Sequence, residues 1–149
     1  MPDVDILIGS KSDLPVAAKA SETLTRFGLT SQTHVASAHR NLERVVRILR
    51  ESDASVFIAM AGMSAALPGG VAAQTLKPVI GVPVSGKINL DAVLSVSQMP
   101  KGIPVASVAL DGGENAALLA VEILALSRSA LAEKLKEYRA EWNREPETP

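Results

Sequence analysis

Five short apolar runs alternate with segments of helical periodicity along almost the whole chain, and this alternation constrains the fold more than any other feature. The runs fall at 5–8, 33–36, 56–60, 79–84 and 105–110. Several lack polar residues at alternate positions, as strands do when a parallel sheet buries both their faces. Strands spaced by helix-length segments predict an α/β fold: a doubly wound parallel sheet in three layers, with helices on both faces. The helices have readable ends. Asp13 is placed to cap the first, with Pro15 in its first turn and Gly28 as its stop. Asn41 caps the second, whose apolar stripe is Leu42, Val45, Val46 and Leu49. Pro68 opens a short third, a fourth runs over about 90–98, and a fifth begins at Asn115. The fifth is apolar nearly all round and is expected to be buried on more than one side.

A sixth helix, at about 129–143, is mostly charged but carries Leu131, Leu135, Tyr138 and Trp142 in one stripe. It either packs on its own domain or docks on a neighbouring subunit, and periodicity does not choose between them. With no repeat, linker or low-complexity segment, the chain reads as one domain over 1–149, its core at about 4–126.

Bulk properties remove several functions. The 149 residues carry a formal net charge of −1 and no polybasic run, so neither nucleic acid nor a charged membrane surface is favoured as a partner. The absence of cysteine excludes disulfides, thiolate zinc sites and a cysteine nucleophile, and fits a reducing compartment. The first ten residues, MPDVDILIGS, contain acidic residues and lead directly into a strand, unlike a secretory leader. The longest nearly apolar stretch, 116–126, contains Glu122 and is too short to cross a bilayer. A soluble, cytoplasmic chain is expected.

In an open parallel sheet, ligands bind beyond the carboxyl ends of the strands, near the point where the strand order reverses. With the order 2-1-3-4-5, the loops after the first three strands come from neighbouring strands and share one cleft. The first, Gly9-Ser10-Lys11-Ser12-Asp13, has the composition of an anion site at a helix start: glycine admits close approach, hydroxyls donate, and the helix terminus adds positive potential. It matches neither a Walker motif nor the three-glycine dinucleotide fingerprint. The plain alternative is capping, and Asp13 also suits ribose hydroxyls.

The second loop, Ser37-Ala38-His39-Arg40, supplies a side chain that titrates near neutrality and a fixed positive charge suited to phosphate or carboxylate. A solvated loop histidine is the competing reading. His34, inside the second strand, is read as structural. The third loop, 61–69, offers little polar side chain beyond Ser64, so a ligand can lie against its backbone while water is excluded. Tight helix–sheet packing explains it equally well in isolation.

In this order and at these spacings, the loops resemble those of the PurE family of aminoimidazole ribonucleotide carboxylases and mutases. Further matching pieces are Leu67-Pro68-Gly69, Pro78-Val79-Ile80-Gly81-Val82-Pro83-Val84, Gln98-Met99-Pro100 with Gly102-Ile103-Pro104, and Asn115-Ala116-Ala117-Leu118-Leu119-Ala120. The resemblance covers about 4–126. It implies a flavodoxin-like (Rossmann-like) sheet, a homo-octamer, and neither metal nor organic cofactor. It also implies a small ribonucleotide substrate whose carboxylate moves from an exocyclic nitrogen to carbon 4 of an imidazole, with carbon dioxide as the transferred group. By the same resemblance Gly9, Ser10, Ser12, Asp13 and Arg40 hold the ribose 5-phosphate portion. Ser37, Ala38 and His39 lie beside the imidazole, and Ala61, Gly62, Ser64 and Leu67 close the pocket. His39 is then the catalytic group that takes the ring proton; Arg40 is too basic for that task.

Three departures separate this chain from the usual mutase pattern. Ala66 stands where that class has histidine, and Ser64 with Ala66 are closer to the class that carboxylates the ring directly with carbon dioxide. The segment Ser85-Gly86-Lys87-Ile88-Asn89-Leu90 is also shorter than its mutase counterpart. The mutase reaction is the main reading, direct carboxylation the alternative, and a non-catalytic nucleotide-binding domain on the same scaffold the rival from another class.

Overall fold

In a computed structural model, which describes residues 1–144, five parallel strands form one sheet: β1 (Val4–Ile8), β2 (Ser31–Val35), β3 (Val56–Ala61), β4 (Val79–Pro83) and β5 (Ala106–Ser107). Their order is β2-β1-β3-β4-β5, so the sheet reverses direction of growth at β1 and β3, as the loop argument required. Ile6 lies opposite Thr33 on one side and Ile58 on the other, while Ile58 in turn faces Ile80.

Successive strand residues point to opposite faces, and the structure uses both. Val4, Ile6, Ile8, Val56, Ile58, Met60, Ile80 and Val82 pack on one side against α1 (Leu14–Arg26), α5 (Gly113–Ala125) and α6 (Ser129–Trp142). Leu7, Phe57, Ala59, Ala61 and Val79 pack on the other against α2 (Leu42–Glu51), α3 (Leu67–Ala72) and α4 (Asn89–Ser97). The result is the expected three-layer, flavodoxin-like arrangement.

Local chemistry explains some of the element ends. Asn41 caps α2, its side-chain oxygen accepting from the Arg44 amide at 3.1 Å. The expectation that Asp13 caps α1 is corrected. The chain enters α1 through a 3-10 turn at Lys11–Asp13, and Ser10 caps that turn by accepting from the Ser12 amide. Asp13 then sits at the helix start without a side-chain capping bond. The fifth strand, expected over 105–110, is only two residues long. It is an edge strand that pairs with β4 alone, at Ile80 and Gly81. Beyond it the chain leaves the regular ladder but still donates from Val108 to the Gly81 carbonyl and from Asp111 to the Pro83 carbonyl.

Two glycines permit close layer packing. A Cβ at Gly81 falls 2.5 Å from Val96 Cγ1 and 2.8 Å from Val105 Cγ1, and one at Gly113 falls 2.3 Å from the Val16 carbonyl oxygen. The first lets α4 lie on β4, and the second brings α5 against α1. The stripe of α6 packs mainly on its own domain, one of the two expectations for it. Leu131, Leu135 and Tyr138 pack on the chain's own core, with Tyr138 5.6 Å from the Phe27 ring, whereas Trp142 stays 75% exposed.

Candidate active site

The carboxyl ends of β1, β2, β3 and β4 open into one cavity of about 590 Å³. The hydrogen bonds that place its walls are mostly backbone. After β1, the Gly9 amide donates to the Met60 carbonyl, and after β2 the Ala36 amide donates to the Ile8 carbonyl. The ladder between β3 and β4 extends one step further through the Val84 amide and the Ala61 carbonyl at 2.9 Å. Each loop therefore leaves the sheet at a fixed height, and the loop side chains project into a common space.

Arg40 ties the first two loops together. Its Nη2 donates to the Gly9 carbonyl at 2.9 Å and its Nε to Ser37 Oγ at 3.3 Å, and Ser37 Oγ also accepts from the Arg40 amide at 3.1 Å. The Ser12 hydroxyl donates to Ser10 Oγ at 3.1 Å. A guanidinium, three hydroxyls and the turn that enters α1 thus meet on one side of the cavity, a setting that favours an anion such as phosphate.

Asp13 is the discordant charge in this wall. It is only 6% exposed, and burial raises its carboxyl above the ordinary value; the Ser10 and Gly9 backbone amides oppose that rise, and the nearby negative charge of Asp111 adds to it. A carboxylate repels phosphate but accepts hydrogen bonds from sugar hydroxyls, so Asp13 suits the ribose rather than the phosphate.

His39 lines the same cavity, exposed and without a hydrogen bond from either ring nitrogen among the described residues, so both are open to a ligand. Ala61, Gly62, Ser64 and Leu67 form the wall beyond it, and a Cβ at Gly62 would stand 3.3 Å from the Val84 carbonyl oxygen. The structure brings every expected position onto this wall: Gly9, Ser10, Ser12, Asp13, Ser37, Ala38, His39, Arg40, Ala61, Gly62, Ser64 and Leu67. Ala66 is not on it. Among the described residues, no group of three or more His, Asp or Glu side chains is arranged to hold a metal ion.

Four lining residues were not anticipated: Met63, Ser85, Gly86 and Lys87. The last three belong to the loop after β4, which leaves the same sheet edge; strand order alone would have included it. His34 lies away from the cavity, where its Nε2 donates to Asp5 Oδ1 at 3.1 Å while the Ser52 hydroxyl donates to the other oxygen of that buried carboxylate. It is structural, as its position within the strand suggested.

Residues 3–145 match the family model described as AIR carboxylase. The chain belongs to the AIR carboxylase family. The N5-carboxyaminoimidazole ribonucleotide mutase of Methanocaldococcus jannaschii is 57% identical over 135 residues, covering 90% of this chain and 86% of that one. The protein of the same name from Thermotoga maritima is 44% identical over 150 residues, covering 97% and 88%. The crystal structure of Treponema denticola PurE superposes with a TM-score of 0.86 at 34% identity, covering 93% of this chain and 89% of that one. Members of this AIR carboxylase family thus share both the sequence and the fold of this chain, and its cavity lies where a doubly wound sheet of this order binds ligands.

Proposed function

We propose that this chain is an N5-carboxyaminoimidazole ribonucleotide mutase of purine biosynthesis. The observation that carries this reading is the cavity that brings together His39, unengaged among the described residues, an anion-favouring wall of Ser10, Ser12, Ser37 and Arg40, and a small-residue wall of Ala61, Gly62 and Leu67. Relatives 44–57% identical over most of the chain that bear the name of this mutase support it.

In this reading the ribose 5-phosphate lies along the first wall, with its hydroxyls on Asp13. The carbamate N–C bond breaks, and the carbon dioxide it releases is held against the small-residue wall. A new bond forms from ring carbon 4 to that carbon. His39 takes the proton from carbon 4, restoring the aromatic ring, and a proton returns to the exocyclic nitrogen. Substrate and product are isomers, so no co-reactant is consumed.

The enzyme acts in the cytoplasm as a homo-octamer of single domains spanning 1–149, of which 145–149 lie outside the described residues. The family resemblance implies that assembly, and the exposed Leu42, Leu90, Leu94 and Trp142 are apolar surfaces available to it.

The test offers purified protein the carbamate and the uncarboxylated nucleotide separately and follows formation of the 4-carboxylated product. Product from the carbamate without added bicarbonate is expected. Product only from the uncarboxylated nucleotide with carbon dioxide would replace the mutase by the direct carboxylase and give Ser64 and Ala66 their meaning. No product from either would remove the enzymatic reading.

A further inference from the structure

The cavity carries two cations, and the sheet separates them. Arg40 follows β2 and Lys87 follows β4, so β1 and β3 lie between them in the order β2-β1-β3-β4. Three strand spacings put the two loops about 14 Å apart across the sheet. Arg40 is committed to the Gly9 carbonyl and the Ser37 hydroxyl, on the hydroxyl-rich side. Lys87 is exposed and forms no ion pair among the described residues.

The loop that carries Lys87 is held at both ends. The Ser85 amide donates to Asp111 Oδ1 at 2.8 Å, and the Gly86 amide donates to Asn89 Oδ1 at 2.8 Å. Asp111 reaches that amide from a left-handed backbone conformation, φ 58°, which Asp adopts more readily than most residues. On the inner side, the Val84 carbonyl preceding the loop lies against Gly62. Lys87 therefore enters the cavity from the β4 side, in the loop that follows Val84 beside Gly62, and Arg40 from the β2 side.

We infer that Lys87 is a substrate-binding residue whose ammonium pairs with the carboxylate being transferred, while Arg40 serves the phosphate at the opposite end. This rests on the proposed reaction and adds to it how the site distinguishes a carboxylated nucleotide from its uncarboxylated parent. The chemistry matches the placement. The substrate is anionic at both ends, and a cation at each end fixes which way round it lies in the cavity.

The test measures equilibrium binding of the 4-carboxylated nucleotide and of the uncarboxylated aminoimidazole ribonucleotide to wild type, Lys87→Met and Lys87→Arg. Lys87→Met is expected to weaken the carboxylated nucleotide about tenfold, the scale of one charged hydrogen bond. It should leave the uncarboxylated one within about twofold, and Lys87→Arg should restore most of the loss. Equal weakening of both ligands would assign Lys87 to the phosphate or to loop structure and overturn the proposal, as would no change in either. If wild type binds neither nucleotide, the proposed reaction itself falls and the role of Lys87 with it. Normal wild-type binding with an unaffected variant removes Lys87 alone.

Discussion

Asp13 shows how a residue suited to a ligand sets itself against the fold. Its carboxyl is buried at the start of α1 without the capping bond that position normally provides, and burial raises it above the ordinary aspartate value of 3.8. A carboxyl raised in the folded state binds its proton more tightly there than in the unfolded chain. Its unfavourable contribution is absent below about 3.8, grows as pH rises through the folded-state value, and is fully present above it. Asp13→Asn is therefore expected to melt at a higher temperature than wild type at pH 7, with the difference shrinking toward pH 4, while nucleotide affinity falls. A melting difference that does not change with pH would contradict this account. The same wall holds His39, whose ring nitrogens bond to nothing in the described chain, so its loss should leave the fold intact. His39→Asn is expected to keep nucleotide binding within a fewfold and to lose at least about 100-fold in turnover, the scale of a missing acid–base group. Near-normal turnover in that variant would take His39 out of the mechanism.

At the scale of elements, what the sequence disclosed and what it hid follow from physical differences between particular segments. The central strands were legible because both their faces are buried, which leaves uninterrupted runs such as Val56-Phe57-Ile58-Ala59-Met60. β5 was not, because an edge strand needs ladder bonds on one side only and an apolar run does not say where they stop. Asn41 announced its cap correctly, whereas two capping residues, Ser10 and Asp13, compete three positions apart and only the 3-10 turn decides between them. Three cavity loops drew attention through glycine, hydroxyl and histidine chemistry. The loop with Lys87 also holds a hydroxyl and a glycine, Ser85 and Gly86, but no histidine, and stands out in the sequence only for its length; its place beside Gly62 comes from strand order. Gly81 is a further case, ordinary in the sequence yet pressed between Val96, Val105 and Pro68. Gly81→Ala is expected to destabilise the chain by roughly 1–3 kcal/mol through overpacking. A thermal melt would show this as a lower midpoint, and an unchanged midpoint would mean that α4 yields freely.

The whole molecule leaves apolar surface that its own layers do not cover. On α4, Ala92 and Val96 are buried against the sheet, while Leu90, Val93 and Leu94 face outward at 68%, 37% and 41% exposure, with Ile88 just before them at 54%. Positions spaced by three and four residues share one helix face, so these side chains form a continuous stripe and not scattered exceptions. The stripe continues directly from the loop that carries Lys87, which makes the rim of the cavity adjacent to whatever covers it. A second copy of the chain is the occupant that fits the proposed octamer, because repeated burial of the same stripe stabilises a closed assembly without any further partner. Leu90→Asp with Leu94→Asp places two carboxylates on this face and touches neither the buried side of α4 nor the cavity wall. The double variant is expected to keep the wild-type circular dichroism but to scatter light as particles well below eight times the 15.6 kDa chain mass. Its activity should fall as the rim loses support. Particles of wild-type size would show that α4 faces solvent in the assembly, and the interface would then have to be sought among the other exposed apolar residues, such as Leu76, Leu126, Leu42 on α2 and Trp142 on α6.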